Sequence, residues 1–289
     1  VSKGLKEALS EALREQVMSL GPIGGGDIND AYEATLGSGQ SVFVKSHPKG
    51  PDGMFEAEAR GLKWLAEANA LRIPSVLAHS NGQQGKGGFL VLEMLRSGAP
   101  QVDFQEQTGR GLATLHRFGS PTFGLDHSNF IGSLPQSNQS ADTWAEFYRC
   151  ERLAPMVQRA QRRGLFGASE LDAFERLYGR LEELVGPSEP PSRLHGDLWS
   201  GNLHTGPDGA PCLIDPAVYG GHREMDLAMM KLFGGFGPRC FAAYNEAYSL
   251  APGASERVDL YQIYPLLVHV NLFGGGYVGS TMRAVRRYL

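Results

Sequence analysis

The stretch Arg193–His204, R-L-H-G-D-L-W-S-G-N-L-H, decides the reading of this chain, together with C-L-I-D-P-A at 212–217 and H-R-E-M-D-L-A-M-M at 222–230. His195, Asp197 and Asn202 stand in the order H-x-D-x-x-x-x-N, and Asp215 ends the apolar run Cys212-Leu213-Ile214. Asp and Asn often serve only as turn formers, hydrogen-bonding their own backbone. A lone His-Gly-Asp would favour that plain reading. Asn202 and Asp215 in register with it argue for chemistry.

The order matches the spacing of a protein-kinase catalytic loop. Phosphoryl transfer needs a carboxylate beside the attacking hydroxyl and hard oxygen ligands to hold magnesium on a triphosphate. Asp197 suits the first role; Asn202 and Asp215 suit the second.

Working outward, residues 3–19 read as an amphipathic helix, with Leu5, Leu9, Leu13 and Val17 as its stripe. Strand and turn texture follows from Gly21 to Ser46, with a hairpin signal at Gly37-Ser38-Gly39. The Gly24-Gly25-Gly26 turn lets backbone N–H groups approach phosphate oxygens, although an ordinary hairpin is the plainer reading. It is neither a Walker A loop nor a G-x-G-x-x-G motif. Lys45 ends Val42-Phe43-Val44 on the same side as Phe43. A cation there can pair with α/β-phosphates if a helix glutamate orients it. Glu58, on a helix expected over 55–70, is the natural partner and Glu56 its competitor.

Strands at 76–79 and 89–95 complete a small sheet. The second runs into a connector whose backbone at Glu93, Met94 and Leu95 suits an adenine edge. After Arg96 the pattern is mostly helical, broken by loops at 119–141, 186–193 and 216–222. The result is a β-rich lobe with one inserted helix, a short connector and a larger helical lobe, with a cleft between them.

Composition mostly excludes. Lys+Arg 27 against Asp+Glu 31 gives a net charge of −4, so no basic field exists to hold nucleic acid. No apolar run reaches the roughly 18 residues that would span a bilayer. Cys150, Cys212 and Cys240 are odd in number and scattered, which argues against a disulfide framework or zinc cluster and for a cytoplasmic protein. The chain begins at Val1, so a removed leader is left open. Glycine is the outlier: 38 residues, where about 20 follow from ~7% usage.

These residues together resemble the fructosamine kinase (ketosamine-3-kinase) family, within the aminoglycoside-phosphotransferase and choline-kinase-like fold. The general elements are G-G-G-D-I-N-D-A-Y at 24–32, V-F-V-K at 42–45 and F-E-A-E-A-R-G-L at 55–62. More particular are H-G-D-L-W-S-G-N at 195–202, I-D-P-A-V-Y-G-G-H-R-E-M-D-L-A-M at 214–229, K-L-F-G-G-F at 231–236 and Y-P-L-L-V-H-V-N-L-F-G-G-G-Y at 264–277.

The resemblance implies an α+β, bilobal protein-kinase-like fold. Residues 1–95 would form an antiparallel nucleotide-binding lobe ending in the hinge, and 96–289 a mainly helical lobe. It implies ATP and Mg²⁺ as cofactors and phosphorylation of a sugar hydroxyl on ketosamines or glycated protein lysines. Asp197 would be the base, Asn202 and Asp215 the metal ligands, Lys45 with Glu58 the phosphate-orienting pair, and Trp199 a platform for the sugar. His195 would brace its loop, Glu224 and Asp226 would tie the metal loop to the following helix, and His116 would be structural. Asp27 stands where many members carry Cys, so a loop-cysteine switch or disulfide dimer is not expected, and a monomer is favoured. An aminoglycoside or amino-alcohol phosphotransferase is the nearest alternative, and a nucleotide-binding pseudokinase scaffold a more distant one. Residues 216–289 hold seven Lys/Arg and five acids, which disfavours the acidic pocket a polycationic antibiotic would want.

Overall fold

A computed structural model describes residues 3–24, 29–82 and 87–289. The chain opens with α1 (Lys3–Leu13), β1 (Val17–Ile23), β2 (Asp30–Leu36), β3 (Ser41–His47), α2 (Met54–Ala66), β4 (Val76–Ser80) and β5 (Gly88–Glu93). All five strands join one antiparallel sheet in the order β1-β2-β3-β5-β4. Alternation along β3 and β5 gives the sheet two apolar faces. Val42, Val44, Phe89 and Val91 pack with Leu9 of α1, while Leu90 and Leu92 pack with Phe55, Ala59 and Leu62 of α2.

The first helix is shorter than its periodicity predicts. It stops at Leu13, and Val17 begins a strand. Arg14 adopts φ +54°, and Ser10 Oγ accepts the Val17 N–H at 3.0 Å. Val17 is fully buried beside Leu9, but from a strand that crosses beneath the helix. Helical spacing continued through the turn by coincidence, since both elements bury the same core. The second helix likewise ends at Ala66, short of 70, and Asn69 turns at φ +47°.

The second lobe comprises α3 (Phe104–Phe118), β6 (Asn129–Ile131), β7 (Leu134–Gln136), α4 (Trp144–Phe147), a π-helical stretch at Tyr148–Leu153, α5 (Ala154–Arg162), α6 (Ala168–Tyr178) and α7 (Leu181–Leu184). Then follow β8 (Ser192–Leu194), β9 (Leu203–Thr205), β10 (Pro211–Leu213), β11 (Tyr219–Gly221), α8 (Glu224–Leu232), α9 (Pro238–Ala247), α10 (Val258–Phe273) and α11 (Val278–Arg286). The expected loops at 119–141, 186–193 and 216–222 contain paired strands, β6 with β7 and β8 with β11. Three residues are too few for a period of two to stand out. Helix α10 is buried on nearly all sides, which its unbroken apolar run Leu266–Val268 anticipates, and it anchors the lobe's largest core.

Helix α2 belongs to both lobes. Its first half packs under the sheet, whereas Leu65 joins Leu112, Leu115, Leu198, Leu213 and Val218 of the helical lobe.

Candidate active site in the interlobe cleft

A cleft of about 1230 Å³ separates the lobes. The sheet side supplies Gly24, Phe43, Lys45 and Glu58, the connector Glu93, Met94 and Leu95, and the opposite wall Asp197, Trp199, Asn202 and Asp215. Gly25, Gly26 and Asp27 lie outside the described residues.

Lys45 pairs with Ala31 and Leu90 in the middle of the sheet, so its side chain is presented rigidly. Its Nζ lies 2.6 Å from Glu58 Oε1 and 2.6 Å from Asp215 Oδ1. Burial opposes the ammonium charge, but the carboxylates of Asp215 and Glu58 outweigh it and raise its pKa. Burial is also the largest influence on Glu58, and with the charge of Asp215 it pushes that carboxyl upward against the pull of Lys45. Glu56 is not the partner. It exchanges hydrogen bonds with Asn81, accepting from Nδ2 at 2.8 Å.

Across the cleft, Asn202 fixes the two acids. Its Nδ2 donates to Asp197 O at 2.8 Å, to Asp197 Oδ2 at 3.2 Å and to Asp215 O at 3.3 Å. That leaves Asn202 Oδ1 without a hydrogen bond among the described residues. Asp215 itself holds φ +55°, an unusual conformation for a residue with a Cβ. The Asp197 carboxyl is pushed up to about 7, by burial first and by the charge of Asp215 second, with the Asn202 bond pulling the other way.

His195 faces inward as a brace. Its Nδ1 accepts the Asp197 N–H at 3.3 Å, and its Nε2 donates to Ile214 O at 2.9 Å, joining the loop to the strand before Asp215. Burial lowers its pKa, which suits this neutral tautomer. Asp226 accepts the N–H groups of His195 and Gly196 at 2.8 and 2.9 Å, and pairs with His116 Nε2 at 3.1 Å. His116 is in turn held by Tyr244 at 2.8 Å. Burial works to raise Asp226, but the bonds from His116 and the Gly196 N–H work against it and its pKa is lowered.

Asp226 therefore ties α8 to the loop at 195–197, not to the segment after Asp215. Glu224 ties neither: its carboxylate takes Arg257 Nε at 2.9 Å and Nη2 at 2.6 Å, joining α8 to the start of α10. Sequence spacing put both acids on one helix but could not say which distant element each would meet. Gly196 has a concrete reason: φ is +83°, and a Cβ there would fall 2.0 Å from Ala217 O.

In the connector, the Glu93 N–H is already given to Ser75 O at 2.9 Å, and Arg72 lies 3.6 Å from its carboxylate. Met94 and Leu95 make no backbone hydrogen bond among the described residues, so their N–H and C=O groups are the ones left to a ligand edge.

Trp199 is 39% exposed on the cleft wall. Near it stands a cluster the sequence reading missed. Phe233, Phe273 and Tyr277 surround His269, with ring centroids 4.8, 5.4 and 5.0 Å from it, and all four line the cleft. A signal was present: Leu-Phe-Gly-Gly occurs at 232–235 and again at 272–275, each ending a helix. Each copy delivers a phenylalanine to the cleft and then turns sharply. At Gly235, φ is +89° and a Cβ would meet Ser200 Cβ at 2.3 Å, so this turn lies directly on the loop that carries Trp199.

Comparison with known proteins agrees with this fold. A protein-ribulosamine 3-kinase of Oryza sativa subsp. indica, a chloroplastic protein, is 38% identical over 97% of this chain and 82% of its own length. The crystal structure of a candidate fructosamine-3-kinase from Thermobifida fusca superposes with a TM-score of 0.89 at 36% identity, covering 100% of this chain and 99% of that one. The fold extends further: a thermostable aminoglycoside phosphotransferase gives a TM-score of 0.63 at 14% identity, over 97% of this chain and 98% of that one. The fructosamine kinase family model matches residues 1–289, and the chain belongs to that family.

Proposed function

We propose that the chain is an ATP-dependent kinase that phosphorylates a sugar hydroxyl of ketosamines, either free adducts or those on protein lysines, as a deglycation-type activity. The observation that carries this reading is the convergence of Lys45, Glu58, Asp197, Asn202 and Asp215 on one cleft, with Asp197 held near 7. Lys45, oriented by Glu58, neutralises phosphate oxygens. Gly24 approaches them through its backbone, and Met94 with Leu95 meets the adenine. Asp197 orients the acceptor hydroxyl and takes its proton as the γ-phosphoryl group moves across. Trp199 supports the sugar. Positioning and charge neutralisation do most of the work in such transfers.

The donor set fits magnesium. Among the described residues Asn202 Oδ1 has no hydrogen bond and Asp215 Oδ1 is engaged by Lys45 while its other oxygen has none, and such hard oxygens with phosphate are what Mg²⁺ takes. When bound there, the ion would neutralise charge on the triphosphate. Against an aminoglycoside acceptor stands the lining beyond Asp197, which is aromatic (Phe130, Trp199, Phe233, Phe273, Tyr277) where a polycation would want carboxylates.

The test is a panel of fructose-, ribulose- and erythrulose-derived ketosamines, with an aminoglycoside control, incubated with ATP and Mg²⁺ and read by product mass. Phosphorylated ketosamine is expected. Phosphorylated aminoglycoside alone would move the substrate, and nucleotide binding with no turnover on any acceptor would make the protein a scaffold.

A further inference from the structure

The glutamate that orients Lys45 is only as well placed as helix α2. Glu58 lies between two very different anchors. Before it, Phe55 packs against the sheet; after it, Leu65 packs in the core of the helical lobe. Apolar packing of this kind is non-directional and by itself leaves a helix free to slide or roll. The polar contacts on the second anchor remove that freedom, and most of them come from one side chain.

Arg193 stands on β8, two residues before His195, and only 5% of it is exposed. Its Nη1 donates to the Trp64 carbonyl and lies 2.9 Å from Glu67 Oε2, both at the C-terminal end of α2. Its Nε donates to Gly119 O at 3.3 Å, just past the end of α3. The guanidinium is stacked against Trp64 at 4.1 Å and Phe118 at 4.5 Å. A cation at this place meets unpaired helix carbonyls and the negative end of the helix dipole. Arginine's planar fork makes the contact directional in a way that a lysine cannot copy. One turn nearer Glu58, a Cβ on Gly61 would sit 3.1 Å from Val218 Cγ2, so α2 also lies close against the segment that follows Asp215.

We propose that Arg193 is a positioning residue for phosphoryl transfer: it clamps the end of α2 to the strand leading into the Asp197 loop and so fixes Glu58 against Lys45. The helix is thereby held constitutively in its paired position, bridging the lobes as a fixed strut. This rests on the reading of Lys45 and Glu58 as the phosphate-orienting pair.

A double-mutant cycle on the full chain tests it, with kcat measured at saturating ATP and ketosamine. Arg193→Met is expected to lower kcat by about 10- to 100-fold, the scale of a small misplacement, with the KM for ketosamine nearly unchanged. Arg193→Lys should recover only part of the loss. In a Glu58→Gln background, already impaired, Arg193→Met should cost almost nothing more. If Arg193→Met does not fold, Glu67→Gln, at a side chain that is 60% exposed, removes one leg of the clamp. It should lower kcat about twofold in the parent and not at all beside Glu58→Gln. Losses that multiply in the double variants, or no loss on weakening the clamp, would overturn the proposal while leaving the pair intact. Full activity of Glu58→Gln would overturn the reading of the pair and the clamp with it.

Discussion

Asp197 and Asp226 are two carboxylates within reach of each other's charge, the first partly and the second fully buried, and they are shifted in opposite directions. Burial pushes both upward, so burial does not distinguish them. What differs is the company. Asp226 accepts two backbone N–H groups and a histidine. Asp197 has one amide from Asn202 and faces the carboxylate of Asp215. A carboxylate saturated with donors is a structural part. One left short of donors beside a like charge is poised to take a proton.

The sharpest way to break this comparison is to make each acid neutral. Asp197→Asn should lower kcat by about 10³-fold or more, with nucleotide affinity largely kept, because a base and hydroxyl-positioning group is lost. Its stability should move the other way. A carboxyl raised in the folded state favours folding below its unfolded pKa, and that contribution is lost as pH rises through about 7. At pH 8 the asparagine variant is therefore expected to melt a few degrees higher than the parent. Asp226→Asn should fail on the same measurement. It leaves backbone donors and His116 poorly matched in a dry site, a loss of about 3–5 kcal/mol, or on the order of 10 °C. If both variants shift Tm in the same direction, the contrast is wrong.

Protonation is a gentler probe. As the base must be ionised, kcat/KM should rise with pH and level off above about 7, and at pH 6 it should be about tenfold below the plateau. Asp226, lowered in the fold, predicts the opposite window: its contribution to stability is present at neutral pH and lost only in acid, below the ordinary carboxylate range. A kcat/KM profile flat from pH 5.5 to 8 would remove Asp197 from the role of base.

How much of this could be read from residues follows from the same physics. The pairing of Lys45 with Glu58, and the grouping of Asp197, Asn202 and Asp215, were visible because the chemistry fixes residue types at short, regular spacings. The partners of Asp226, Glu224 and Arg193 were not. His116, Arg257 and Trp64 are joined to them by the fold alone, across 33 to 129 positions of sequence. The aromatic wall was hidden for another reason. Phe233 and Phe273 each stand at the end of a largely buried helix and yet are exposed to the cleft, where the glycines that follow turn the chain. In the sheet lobe the strands announced themselves through alternation. Val17 misled because a strand can bury the residue that a longer helix would have buried.

The smallest effect belongs to a third carboxylate, and it tests whether direction of shift alone means anything. Asp126 is lowered like Asp226, chiefly by its bond to His127 at 2.5 Å, and it also meets Arg60 at 2.9 Å. By sign alone, Asp126 and Asp226 look alike. But the Asp126 side chain is 74% exposed, so water competes with both partners and salt screens them. Asp126→Asn should therefore change stability by less than about 1 kcal/mol, with the difference shrinking further in high salt and kcat unaffected. A loss comparable to that of Asp226→Asn would mean that the ion pair between α2 and the loop after α3 matters far more than its exposure allows. The strut that holds Glu58 would then rest on that pair as well as on Arg193.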